Sequence, residues 1–282
     1  MADMPRAAVL GSPIAHSLSP VLHNAGYQAS GLSQWSYGRR DTSAEEMATV
    51  MAEAAADPEI AGFSVTMPCK FEAAAHAVER SPRARAIGSA NTLVRCENGW
   101  RADNTDVEGI YGGLGVLGVE LAAQPVVVIG GGGTARPAIY AAGQLGAAEI
   151  TVINRSDKTE ELRSLCEAPL RWLSWEDTAA IAEACRRSAV VISTVPAAVV
   201  QGKEEHIAHA PVFDVIYDPW PTPLVAVGRQ RGLACVGGLS MLAFQALSQF
   251  EQFTGVAAPK DSMVAALAEA TGVSATEIAG AA

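Results

Sequence analysis

The stretch VVVIGGGGTAR, residues Val126 to Arg136, decides how this chain is read. Four apolar residues in a row suit a parallel strand buried on both faces. The glycines that follow let the backbone turn tightly and come close to a pyrophosphate, and Gly130, Gly132 and Ala135 fit the Gly-x-Gly-x-x-Gly/Ala spacing. A helix beginning near Thr134 would aim its free N–H groups and positive dipole end at that phosphate. The turn lies mid-chain, so about a hundred residues before it must supply what a nucleotide-binding half does not.

Outward from this turn, strand and helix patterns alternate. After the run at 126–129 come ITVIN (150–154), a weaker run near 169–173, AVVIS (189–193), VFDVIY (212–217) and LACV (233–236). Six strands separated by helical stretches imply a doubly wound parallel sheet, a Rossmann domain. The first half alternates as well. Its strand candidates are 7–11, 35–39, 61–66 and 91–95, with helices at about 20–30, 43–56 and 69–79. Glycine-rich VEGIYGGLGVLG (107–118) reads as a helix leading into the nucleotide half. Beyond Gly238 the pattern is purely helical with no strand partner of its own. The expected organisation is therefore α/β in two domains. Residues 1–106 form a substrate domain, 107–238 the Rossmann domain, and the helices of 239–282 return to the first.

Composition narrows the class. With 282 residues, 49% of them hydrophobic, the chain can bury two modest cores. A formal net charge of −10 argues against general affinity for nucleic acid or anionic membranes. Cys69, Cys96, Cys166, Cys185 and Cys235 are scattered, odd in number and never paired as Cys-x-x-Cys, which suggests reduced cytoplasmic thiols and no metal site. No stretch approaches the apolar length of a membrane span, and the N-terminus lacks a signal peptide's apolar core. The chain reads as a cytoplasmic protein, monomeric or homodimeric.

Several residues could carry chemistry. Ser17 and Ser19 lie in GSPIAHSLSPVLHN, just past the first strand. Ser19-Pro20 reads as a helix cap followed by proline at the first helical position, and hydroxyls there can also bind a polyhydroxylated ligand. His16 and His23 read as structural, since no ligand spacing surrounds them, and His206 and His209 as a solvated helix face. In SVTMPCKFEAAAHAV a strand ends at Thr66, Pro68 fits the first helical position and Lys70 falls in the first turn. A cation there faces the positive end of the helix dipole, which favours its neutral form and acid/base use, although an exposed lysine that bends away is the plainer alternative. Asp106 reads equally as an acid opening a helix, and Asn91 as a turn residue. Where an NAD site places Asp or Glu at the second strand's end, this chain has Asn154, Arg155, Ser156 and Lys158. Two cations and two small hydrogen-bonding groups suit a 2′-phosphate, hence NADP(H).

Taken together, these motifs resemble the shikimate dehydrogenase family. The similarity runs in order through GSPIAHSLSPVLHN, GFSVTMPCK, SANTLV, DNTDVEG, GGGGTAR, NRS, YDPWPTPL and GGLSMLAFQAL. It implies NADPH-dependent, reversible reduction of 3-dehydroshikimate to shikimate in aromatic amino-acid biosynthesis, at a cleft between two domains. Ser17, Ser19, Thr66, Lys70, Asn91, Asp106, Tyr217 and Gln245 would bind the substrate, with Lys70 and Asp106 handling the proton. Gly130, Gly131, Gly132, Gly133, Thr134, Ala135, Asn154, Arg155, Ser156, Lys158, Thr194, Val215 and Gly238 would hold the cofactor. Mild departures are Gly131 and Thr134 where alanine is frequent, Ser240 where glycine often stands, and Lys158 one position early. The rivals are an NAD-preferring quinate/shikimate dehydrogenase, which would carry an acid near 154 or 155, and a non-catalytic sensor, which would lack Lys70 or Asp106. An unrelated Rossmann reductase would leave residues 1–106 unexplained.

Overall fold

Strand β1 (Arg6–Gly11) has parallel neighbours on both sides, β2 (Ser36–Asp41) and β3 (Ile60–Val65), in the computed structural model, which describes residues 4–280. With β4 (Glu79–Arg80), β5 (Thr92–Cys96) and β6 (Gly99–Asp103) they make a mixed sheet of order β2-β1-β3-β5-β6-β4. Strand β5 runs antiparallel to both β3 and β6, pairing Ser64 with Thr92 and Thr92 with Asp103. The ends of β1, β3 and β6 and the start of β5 therefore share one edge. One face is sealed by Leu10, Phe63, Val65, Leu93 and Trp100, packed with Met47, Val50 and Met51 of the helix Met47–Ala55. Each such side chain contributes about 1.5–3 kcal/mol on burial, so this layer anchors the edge that carries the polar residues.

The second sheet is wholly parallel. Strands β7 (Pro125–Ile129), β8 (Glu149–Asn154), β9 (Leu170–Ser174), β10 (Val190–Ser193), β11 (Val212–Asp214) and β12 (Cys235–Val236) take the order β12-β11-β10-β7-β8-β9. This is the doubly wound arrangement expected, and the order reverses between β7 and β10, where such sheets bind ligands. Val126, Val128, Ile150, Val152 and Ile192 are fully buried, as strands covered on both faces require.

Two compact units result. Of the described residues, one holds those up to Thr105 together with Leu242–Ala275; the other holds Asp106–Met241 and 276–280. In the first, the helix Ser19–Ala29 packs on the helix Lys260–Thr271, with Gly26 close against Phe250 and Met263. The tail 239–282, expected to return as one piece, is divided: Glu277 pairs with Arg229, and Gly280 lies near Val116, both in the second unit.

Three local expectations need correction. Pro68 does not open a helix: Met67–Pro68 is a cis bond inside a turn closed by Cys69 N–H to Thr66 O at 2.9 Å, and the helix is Lys70–His76. Ser19 is the first residue of its helix rather than its cap, because Val21 N–H bonds to Leu18 O, which leaves the Ser19 hydroxyl free of capping. Strands β4 and β6 carry no apolar run long enough to be read as strands; β6 is joined to β5 by the two-residue turn Glu97-Asn98, with Cys96 paired to Gly99.

Candidate functional site

In the first unit, the shared sheet edge gathers the polar residues. Gly11 ends β1 where a side chain would collide with Thr66 Cγ2 and Met67 O, so glycine permits the two strand ends to approach. Past it, Ser17 Oγ lies 3.3 Å from Ser19 Oγ, and Ser19 is buried. Thr66 N–H donates to Leu10 O at 2.8 Å, which fixes Thr66 beside the end of β1. Lys70 opens the next helix and is only 9% exposed, while its carbonyl accepts from Ala90 N–H, next to Asn91. The lysine therefore does not bend away into solvent.

Asn91 is the best-held of the set. Its Oδ1 accepts from Thr105 N–H at 2.7 Å and from the hydroxyls of Thr92 and Thr105. Its Nδ2 donates to Gln245 Oε1 at 2.8 Å, joining β5 to the helix Gly238–Thr254. The buried Asp103 nearby accepts from Arg83 Nε at 2.7 Å and Nη2 at 2.6 Å, and from the Ser81 hydroxyl at 2.5 Å. Burial alone would raise that carboxyl, but the hydrogen bonds from Arg83 and Ser81 and the Arg83 charge hold it at about 2. His23 is structural: it stacks on Tyr37 at 4.1 Å, and burial, opposed by Gln249, keeps its imidazole neutral with a pKa of about 3.

The second unit carries the nucleotide turn. Gly130 has φ +115°, and a side chain there would strike the Thr194 hydroxyl, which itself donates to Ile129 O at 2.7 Å. Gly131 lies against Lys158 and Asn154, so a Cβ would fill the same cradle. The residues thus fit a pyrophosphate laid across Gly130 to Gly133 at the start of the helix Ala135–Gln144. At the end of β8, Asn154 is fixed by Nδ2–H to Ser156 O, and Arg155 and Ser156 are exposed. Lys158, early in sequence, drapes over Gly131 and pairs with Glu161 at 3.5 Å. Arg136 reaches the same carboxylate at 3.4 Å and is largely buried, a cation near the turn that spacing rules did not single out.

Val215 N–H bonds to Ser193 O, and Gly238 presses so closely on Val215 O that no side chain fits. Tyr217 follows on the same segment, half-buried. The segment is tied down by Asp214, whose carboxylate accepts from Thr222 Oγ1 at 2.8 Å and Ile216 N–H at 3.3 Å. Burial pushes this carboxyl up to about 6 against those hydrogen bonds. Asp106 opens the helix Asp106–Leu117 and is buried.

Residues 9–93 match the shikimate dehydrogenase substrate-binding domain, and 238–268 the shikimate 5′-dehydrogenase C-terminal domain. Residues 105–205 match the alanine dehydrogenase/PNT C-terminal domain. A "Shikimate dehydrogenase (NADP(+))" of Symbiobacterium thermophilum is 34% identical across 94% of this chain and 94% of that protein. The chain belongs to the shikimate dehydrogenase family. Among solved shikimate dehydrogenases, that of Mycobacterium tuberculosis is 45% identical with a TM-score of 0.86, covering 94% of this chain and 99% of that one. The Thermus thermophilus shikimate dehydrogenase, solved in complex with shikimate, is 30% identical with a TM-score of 0.80, covering 96% of this chain and 100% of that one. Among the described residues no helix is long and apolar enough to cross a membrane, and all five cysteines are free.

Proposed function

We propose that the chain catalyses the reversible, NADP(H)-dependent reduction of 3-dehydroshikimate to shikimate. The observation that carries this reading is the buried polar edge of the first unit, where Ser19, Lys70 and Asn91 stand with Gln245 in a chain otherwise rich in apolar residues. Burying such groups is costly unless they serve a ligand or one another. Their mixture of hydroxyl, amide and ammonium suits a polyhydroxylated carboxylic acid, with Ser17 and Ser19 at the carboxylate and Thr66, Asn91, Tyr217 and Gln245 on the hydroxyls.

NADP(H) supplies or accepts the hydride when bound. The chain's own residues then manage the proton that moves at the oxygen of the reacting carbon. Lys70 and Asp106 are the residues proposed to handle that proton, and a positioned proton relay is worth roughly 10²–10⁴-fold. Arg155, with Lys158 beside it, would hold the 2′-phosphate, the guanidinium also stacking on adenine. Arg136 adds a further positive charge near the turn. Free, scattered cysteines support a reducing compartment, the cytoplasm. Purified protein given shikimate and NADP⁺ should form NADPH at a steady catalytic rate. Absence of any shikimate-dependent NADPH would overturn the reading.

A further inference from the structure

A second buried helix residue, one turn beyond Gln245, ties the substrate edge together. Gln249 is 1% exposed, and its Nε2 donates to Asn91 O at 3.0 Å and to Thr92 Oγ1 at 3.1 Å. Its Oε1 accepts from Ser64 Oγ at 2.7 Å, and Ser64 Oγ in turn accepts from Tyr37 Oη at 2.5 Å. Which way an amide faces is decided by its obligate neighbours, and here the backbone supplies two. Asn91 C=O can only accept, so Gln249 must turn Nε2 toward it, and Ser64 must then donate to Oε1. Thr105 N–H can only donate, so Asn91 must turn Oδ1 toward it.

The senses propagate from there. Thr92 Oγ1 accepts from Gln249 and passes its own proton to Asn91 Oδ1 at 2.8 Å. Asn91 is left with Nδ2 facing Gln245, whose Oε1 accepts at 2.8 Å. Gln245 therefore offers its remaining group, the Nε2 donor, to whatever binds. We propose that Gln249 is a positioning residue that turns the Thr92 hydroxyl onto Asn91 Oδ1 and so, together with Thr105 N–H, locks the amide sense of Asn91 and Gln245, leaving the site with a hydrogen-bond donor for a substrate oxygen. The inference rests on the proposed shikimate reaction.

Gln249→Glu keeps the size but, when ionised, cannot donate to Asn91 O or Thr92. Calorimetric titration of the full chain should show shikimate Kd raised roughly tenfold near pH 8, with NADP⁺ Kd within about twofold of native. The titratable groups facing the new carboxyl, His23 and, through Ser64, Tyr37, are both kept neutral by burial. The same burial raises the carboxyl's pKa; the protonated acid regains one donor, and the variant-to-native Kd ratio should fall as pH is lowered toward about 6. A merely structural role would leave that ratio flat across pH. Thr92→Val, which deletes the linking hydroxyl, should raise shikimate Kd by about threefold and decides the matter if Gln249→Glu does not fold. Shikimate binding within twofold of native in the variant that folds, or a pH-independent ratio for Gln249→Glu, overturns the proposal. Native protein that binds no shikimate overturns it together with the reaction it rests on, whereas native binding with an unaffected variant overturns it alone.

Discussion

The two sheets bury different chemistry. In the parallel sheet, Val126, Val128, Ile150, Val152 and Ile192 fill the interior, and the side chains proposed for the 2′-phosphate, Arg155, Ser156 and Lys158, lie past a strand end, exposed or half-buried. In the mixed sheet, one edge buries Ser64, Asn91, Thr92, Asp103, Asn104 and Thr105 behind a single apolar layer. The first arrangement is stabilised by area and tolerates its ligand groups as additions. The second holds its ligand groups through mutual hydrogen bonds, and each partner left unpaired there costs about 1–3 kcal/mol. The residues proposed for binding are thus separable from those that hold the fold in the second unit and entangled with them in the first.

The largest effect should come from the entangled side. Lys70→Ala is expected to lower kcat by roughly 10²–10⁴ while NADP⁺ affinity stays within about twofold, because the nucleotide turn belongs to the other unit. Combining it with Asp106→Asn should cost far less than the product of the single losses, since two groups on one proton act as a unit. Steady-state kinetics on the three variants checks this, and near-native turnover in Lys70→Ala would remove the lysine from the proton path.

Two aspartates sharpen the comparison through opposite pH dependence. Asp103, in the mixed sheet, has a folded pKa of about 2 against 3.8, so its stabilisation is fully present above about pH 4 and disappears as pH falls through 2. Asp103→Asn should lose about 2 kcal/mol at neutral pH and show a shallower acid limb. Asp214, in the parallel sheet, is raised from 3.8 to about 6, so its contribution is fully present below about pH 4 and is lost as pH rises through 6. Relative to native protein, Asp214→Asn should gain on going from pH 5 to 8, by about 1.4 kcal/mol. Thermal unfolding from about pH 2 to about pH 8 reads both, and parallel curves for the two variants would show that the carboxyls are not held as described.

Next in size is cofactor choice. Arg155→Asp should erode the preference for NADP⁺ by about tenfold or more, near 1.4 kcal/mol, without changing shikimate Kd. The smallest expected effect is Ser19→Thr, which adds one methyl to a hydroxyl that is buried but not used as a cap. It should raise the efficiency of quinate relative to shikimate by a factor of about three, read as the ratio of kcat/KM.

The same contrast explains what the sequence revealed. The central parallel strands stood out as apolar runs because both their faces are covered, the edge strand β9 only weakly because most of Leu170–Ser174 is not buried, and the glycine turn announced itself by spacing. Strand β6, GWRAD, alternates too briefly to be read, although it follows β5 after only the two turn residues Glu97-Asn98. Lys70 was legible because a cation is unusual at a helix start, while its burial was not. Gln249 and Ser64 look like surface residues in sequence, since their partners lie as far as 185 positions away. Arg136 was hidden inside the motif that names the turn, where attention falls on glycines. Proline at the first helical position, sound as a general preference, failed at Pro68 because a turn closes on Cys69 before the helix begins.

One measurement tests the central account most directly: kcat/KM of the native protein for shikimate and for quinate, each with NADP⁺ and with NAD⁺. Shikimate with NADP⁺ should exceed both shikimate with NAD⁺ and quinate with NADP⁺ by about tenfold or more. Equal efficiency with the two cofactors would contradict the role given to Arg155 and Lys158, and equal efficiency with the two acids would contradict the role given to the Ser17–Ser19 pair.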